Sequence, residues 1–242
     1  GLTGFHNRFW EVEEASKTSA TLSVKTKEGE EGFPGNLTVK VKYTLGEDND
    51  LTIEYFAETA NDTVINLTNH AYFNLNGAEQ NDITSHVVAI NSSSFAVVDD
   101  RCIPTGKLRD VSGSAFDFRE PKSISENIED KDEQLIIGNG YDHSFQLKTE
   151  NSAELIFAAS AEGDISKIRL EVYTTEPAMQ FYTGNYLGSG DIGKGKVVYR
   201  DRSGFCFETQ HHPDSPNRPE FPSTVLKAGE HFYSKTIYKA IL

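Results

Sequence analysis

Residues 37–45 read Leu-Thr-Val-Lys-Val-Lys-Tyr-Thr-Leu, with every odd position apolar and every even position threonine or lysine. A period of two predicts a strand with one buried and one wetted face. Leu51-Thr52-Ile53-Glu54-Tyr55 repeats the pattern after the turn-rich link Gly46-Glu47-Asp48-Asn49-Asp50, which predicts a hairpin. Ile168 to Tyr173 alternates as well, and His231 to Ile237 does so more loosely. Thr21 to Lys25 and Leu155 to Ala158 read as further strands. Helical periodicity is scarce. Ser123 to Ile128 follows Pro121 and predicts a single turn. The segment Asp99 to Ile137 is rich in charge, glycine and proline and reads as long loops. Many short strands with turn signals between them predict an all-β fold, a large antiparallel β-sandwich with few or no helices.

Length fits that picture, because 242 residues can bury a substantial core as one unit. The expectation is a single domain over residues 1–242, with neither an internal repeat nor a linker. A formal net charge of -14 argues against nucleic acid and anionic membrane as partners, since both are polyanions. No apolar run approaches the roughly 18 residues of a bilayer-spanning helix. Cys102 and Cys206 are too few for a disulfide framework, which favours a reducing, cytoplasmic setting. Asn36, Asn61, Asn66 and Asn91 each open an N-glycosylation pattern, a short motif read here as accidental.

Three polar clusters interrupt the strand pattern. Asn66-Leu67-Thr68-Asn69-His70-Ala71-Tyr72-Phe73-Asn74-Leu75 sets one imidazole among amides, a hydroxyl and two aromatic rings. On an extended strand Val64, Asn66, Thr68 and His70 share a face that becomes more polar toward His70. Asn139-Gly140-Tyr141-Asp142-His143-Ser144-Phe145 places two glycines, Gly138 and Gly140, at a turn that delivers Asp142 to the mouth of a strand, although a turn-capping aspartate reads the same way. Phe205-Cys206-Phe207-Glu208-Thr209-Gln210-His211-His212-Pro213-Asp214 puts the phenylalanines on one face and Cys206, Glu208 and Gln210 on the other. A carboxylate in such a strand is either exposed or paired. Adjacent histidines on a strand face opposite ways, so His211, His212 and Asp214 do not make a metal site, and no cofactor is expected. Phosphate-loop, dinucleotide and nucleophile-elbow motifs are missing. Unaided, the residues support acid–base chemistry by a His/Glu pair only weakly.

The same clusters resemble the galactose mutarotase (aldose 1-epimerase) family along essentially the whole chain. Gly29 to Leu37, the stretch around His70, Asp99 to Arg101, Ile103 to Gly106, Phe116 to Arg119, Tyr141 to Phe145, Glu176 to Asn185, Glu208 to Gln210, Phe221 to Ser223 and Gly229-Glu230 match in order. The resemblance implies the mutarotase-like supersandwich, a hexose substrate such as galactose or glucose, and interconversion of its α and β anomers. It assigns Glu208 as general base and His70 as general acid, Asp142 and Gln180 to the sugar hydroxyls, and Tyr72 to the pocket wall. Ring opening needs a base at the C1 hydroxyl and an acid at the ring oxygen, and an imidazole, with an ordinary pKa of about 6.5, can exchange a proton at neutral pH. Burial beside Phe205 and Phe207 is expected to raise the Glu208 pKa. Family members also carry a sugar-binding arginine and a second histidine earlier in the chain. Gly1 to Phe5 resembles the family's stretch just after that histidine and His6 does not occupy its place, so the expectation is an N-terminally incomplete domain. The alternatives are a non-catalytic carbohydrate-binding sandwich and a glycosidase pairing Glu208 with Asp142 or Asp214 across a bond.

Overall fold

The computed structural model describes residues 3–147 and 154–242; Gly1 and Leu2 of the N-terminal motif lie outside that range. The first strands are Glu11–Ala15 (β1), Ser19–Thr26 (β2), Leu37–Leu45 (β3), Asp50–Thr59 (β4) and Thr63–Val64 (β5). Val87–Ile90 (β6), Ser92–Val98 (β7), Pro104–Asp110 (β8), Lys122–Ser123 (β9) and Asp142–Leu147 (β10) come next. Ile156–Glu162 (β11), Arg169–Thr174 (β12), Ala178–Tyr182 (β13), Cys206–Gln210 (β14), Val225–Leu226 (β15) and His231–Ile241 (β16) complete the set. Among the described residues they form an antiparallel nine-stranded sheet, ordered β1-β2-β3-β4-β16-β12-β11-β6-β9, and a five-stranded sheet, β14-β13-β10-β7-β8. A two-stranded pair, β15-β5, stands apart.

The alternation in β3 has the predicted consequence, with Leu37, Val39 and Val41 buried while Thr38, Lys40 and Lys42 lie half-buried on the other face. Inward side chains of both sheets meet in one core: Ile53, Val172 and Tyr238 from the larger sheet, Phe95, Phe145, Phe181, Phe205 and Phe207 from the smaller. Each such ring or branched chain taken from water contributes about 1.5–3 kcal/mol, which fixes the register of its strand. Polar ties cross the same interface. The Tyr238 hydroxyl donates to the Phe207 carbonyl at 2.8 Å, and Thr209 Oγ1 meets Thr236 Oγ1 at 2.6 Å. Both ties grip β14 on either side of Glu208.

Residues 99–137 depart from the loop expectation. They contain β8, β9 and, at the end, the start of a short helix, Glu133–Gly138 (α1). β8 carries no apolar alternation because only Pro104 of it is buried; it is an edge strand paired on one side with β7, and at Pro104 a missing N–H costs nothing. The Asp132 side chain accepts from the Gln134 N–H and caps α1. The expected turn at Ser123 to Ile128 is a 3-10 turn over Ile124–Glu126.

Removing the Tyr238 hydroxyl should expose the cost of the inter-sheet tie. Tyr238→Phe is expected to lower stability by about 1–3 kcal/mol in urea unfolding, since the buried Phe207 carbonyl loses a partner. A loss below roughly 0.3 kcal/mol would show that the tie carries nothing.

Candidate active site

Because Phe205 and Phe207 point into the core, the pleat turns Cys206 and Glu208 to the opposite face of the five-stranded sheet. β13 obeys the same rule: Met179 and Phe181 are fully buried in the core, so Gln180 and Tyr182 join Glu208 outside. In register, Gln180 stands directly opposite Glu208, Tyr182 opposite Cys206, and Asp142 of β10 opposite Tyr182. Five polar side chains from three strands therefore share one face, in two adjacent cross-strand rows. The Gln180 amide donates to Asp142 Oδ1 at 2.7 Å. Its other atom, Oε1, is buried without a protein partner among the described residues.

Asp142 reaches this face by an unusual corner. Asn139 ends α1 in the left-handed region at φ 53° with its N–H on the Leu135 and Ile136 carbonyls, and Gly140 follows at φ 128°. A Cβ on Gly140 would meet Asn185 Oδ1 at 2.5 Å, so only glycine passes. Gly138, expected to help form this turn, is the last residue of the helix instead. His143, next along β10, turns inward, where burial first and then Arg109 push its pKa down to about 3.

His70 arrives by a route the strand pattern did not predict. Only Thr63–Val64 pairs as a strand; residues 65–72 leave the ladder, so Val64 to His70 is not one strand face. Asn66 replaces the lost pairing. Its amide accepts from the His211 N–H and donates to the His211 carbonyl, both at 3.0 Å. Seven residues on, Phe73 exchanges backbone hydrogen bonds with Phe205. The segment is thus sewn antiparallel to β14 at both ends, and an Asn69 side chain accepting from the Ala71 N–H bends it between them. The bend sets the imidazole over the strand, with Nε2 3.5 Å from Glu208 Oε1 and Nδ1 3.4 Å from Cys206 Sγ. Tyr72 and Tyr182 flank the ring at centroid distances of 5.1 and 6.3 Å. Tyr72 is half exposed at the end of a groove floored by Val39, Val41 and Tyr43.

Electrostatics sets the carboxyl apart. Burial first, then the Asp142 charge, raises Glu208 from an ordinary 4.5 to about 7. Phe205 and Phe207 reach it only through the strand, since their rings lie on the core side, so the expected aromatic contribution is replaced by burial in the cleft and a neighbouring carboxylate. Burial likewise raises Asp142, against the Gln180 amide and His70. The Cys206 thiol is pushed far up by burial and stays protonated. A histidine half open to solvent thus faces a carboxyl poised near neutrality, an acid–base pair at a distance that a small hydroxylated ring could bridge.

The other candidates disperse. His211 Nδ1 pairs with buried Glu176 at 2.8 Å, His212 bonds Ser144 and Gln146, and Asp214 is held by Arg218. They converge on no metal. The donors that do converge are His70, Cys206 and Glu208, whose ligand atoms lie within 4.8 Å of one another. Sequence reading placed Cys206 and Glu208 on one face but gave Cys206 and Tyr182 no role; the period of two from Glu208 and from Gln180 was the signal for both.

Comparison with known proteins fits this geometry. The aldose 1-epimerase family model matches residues 3–239. The galactose mutarotase of Homo sapiens is 41% identical over 239 residues, covering 99% of this chain and 67% of that protein. The aldose 1-epimerase of Escherichia coli K12 is 39% identical over 244 residues, 100% of this chain and 69% of its relative. Among solved structures, the aldose epimerase homologue from C. elegans superposes with a TM-score of 0.88 at 28% identity, covering 100% of this chain and 71% of that one. The galactose 1-epimerase of Lactobacillus acidophilus NCFM gives 0.83 at 28% identity, with 99% and 68% covered. The class is an antiparallel β-sandwich isomerase acting on sugars. The chain belongs to the aldose 1-epimerase family, and it spans about two thirds of the length of these relatives.

Ionisation of Glu208 should be directly visible in protein kept free of divalent metals. Carboxyl 13C NMR is expected to follow its titration near pH 7, and a midpoint below about 5 would contradict the buried environment. A carboxyl whose pKa rises on folding adds stability below its unfolded value and loses it as pH rises through the folded value. Wild-type stability should therefore decline between about pH 5 and 8 more steeply than that of Glu208→Gln.

Proposed function

We propose that this protein interconverts the α and β anomers of aldohexoses such as galactose and glucose, with Glu208 as general base and His70 as general acid. The observation that carries the assignment is the 3.5 Å approach of His70 Nε2 to Glu208 Oε1, longer than a tight hydrogen bond and within reach of one sugar hemiacetal. Ionised Glu208 takes the proton of the C1 hydroxyl while protonated His70 gives its Nε2 proton to the ring oxygen. The C1–O5 bond breaks as the C1 carbonyl forms. Rotation about C1–C2 turns the other carbonyl face toward O5, and the two groups return their protons in reverse as the ring closes. Each group changes state once per half reaction, so the cycle ends as it began.

The remaining polar groups hold the sugar. Asp142, oriented by Gln180, accepts from ring hydroxyls, and the unpartnered Gln180 Oε1 is an acceptor that a hydroxyl can satisfy. Tyr72, at the groove end beside His70, supplies an apolar wall. Positioning of this kind adds to the contribution of the acid and base. Residues 1–242 are taken as one domain, in keeping with the family match over 3–239. The cytoplasm is taken as the compartment, in keeping with two unpaired cysteines, Cys102 and Cys206. A glycosidase is disfavoured because Asp142 sits on the same sheet face as Glu208, on the far side of Gln180, and Asp214 is engaged by Arg218.

In polarimetry on freshly dissolved α-D-galactose, His70→Asn and Glu208→Gln should each slow mutarotation by about 10²–10⁴-fold while leaving the unfolding transition in place. Near-wild-type rates in either variant would remove the assignment, and calorimetric sugar binding without any rate enhancement in the wild type would favour a binding module. Asn66→Ala, which removes the clasp on His211 at one end of the His70 segment, should lower kcat about tenfold or more with a smaller change in KM. An unchanged kcat would show that Ile65 and Phe73 fix the segment without the Asn66 clasp.

A further inference from the structure

Cys206 has no part in the proton exchange, yet it is fully buried on the cleft face, two residues from Glu208, with its sulfur against the imidazole. Imidazole nitrogen, cysteine sulfur and carboxylate oxygen are the donor types zinc prefers, and three protein donors with an open fourth position form the usual exchangeable zinc site. The dimensions fit. Tetrahedral zinc with bonds of about 2.0–2.3 Å holds its ligands roughly 3.3–3.8 Å apart. His70 and Glu208 already stand 3.5 Å apart, and the widest separation among the three ligand atoms is within 4.8 Å. Closing that gap needs a shift of about 1 Å, which the half-exposed His70 side chain at the lip of the cleft can make. His211, His212 and Asp214 are each committed to other partners and offer no competing site.

We propose that His70, Cys206 and Glu208 form a zinc site that holds the enzyme inactive when occupied. Zinc binds one imidazole nitrogen, one Glu208 oxygen and the Cys206 sulfur; the thiol proton leaves to solvent, and no electron is transferred. The ion takes the lone pair with which Glu208 would deprotonate the sugar and the nitrogen from which His70 would protonate it. Sugar and zinc therefore exclude each other. Binding rests on the donor geometry alone, while inhibition rests on the assignment of His70 and Glu208 to catalysis.

The two parts are tested separately. Metal-free protein is titrated with Co²⁺, and absorbance is read in the near ultraviolet, where thiolate-to-cobalt charge transfer appears. The band is expected in wild type, lost in Cys206→Ser, and displaced by one equivalent of Zn²⁺. Mutarotation is then assayed with Zn²⁺, each variant against its own metal-free rate. Half-inhibition should require about tenfold more Zn²⁺ or higher in Cys206→Ser, and saturating galactose should shift the wild-type value upward. Should Cys206→Ser unfold, His70→Gln replaces it in the Co²⁺ titration and should also lose the band. No charge-transfer band in wild type, or an undiminished band in folded Cys206→Ser, overturns the site. A band with no inhibition leaves the site standing and instead removes His70 and Glu208 from catalysis.

Discussion

Everything in the cleft depends on the packing of three phenylalanines. Phe181, Phe205 and Phe207 are fully buried between the sheets, and a pleated strand that sends one residue inward must send the next outward. Gln180, Cys206 and Glu208 face the cleft because their neighbours are held in the core. Slipping β14 by one residue would bury the carboxylate and expose the rings, a change opposed by the apolar area of both phenylalanines and by the desolvation of a charge. Tyr238 and Thr236 add polar ties at the same strand, so the backbone bearing Glu208 is gripped from the opposite sheet.

The imidazole is placed by a different kind of force. Residues 65–72 join no sheet ladder; buried Ile65, bonded to the Thr224 carbonyl, and the Asn66 side chain hold one end, and the backbone bridge at Phe73 holds the other. Glu208 is fixed by burial and His70 by hydrogen bonds at the rim, which matches their exposures of 9% and 52%. Burial both orders the Glu208 carboxyl and disfavours its charge. His70 keeps contact with solvent.

This division explains what could be read in advance. β3, β4, β12 and β16 announce themselves through alternation because one of their faces is wet. β8 does not, since only its first residue is buried, and α1 is only six residues long, too short to show a helical period. Glu208 was legible on a polar strand face, Asp142 at a turn and Gln180 through the family resemblance alone, but their meeting on one face of the sheet depends on strand order β14-β13-β10, which no local pattern encodes. His70 was singled out by composition while its setting was misjudged as a strand. Side-chain mimicry of a ladder, as at Asn66, leaves no periodic trace. The proximity of Cys206 to His70 spans 136 residues of chain and became visible only in three dimensions.

Asn66 carries one further consequence. Both polar atoms of its amide are spent on His211, and Thr68 two residues later completes an acceptor sequence for oligosaccharyltransferase. That enzyme acts on chains as they enter the endoplasmic reticulum, before this fold could shield the amide. A copy of the protein routed for export from a eukaryotic cell would receive a bulky sugar tree on the atom that should be donating to the His211 carbonyl. The fold could still close around its phenylalanines, yet the loop above them would be pried away.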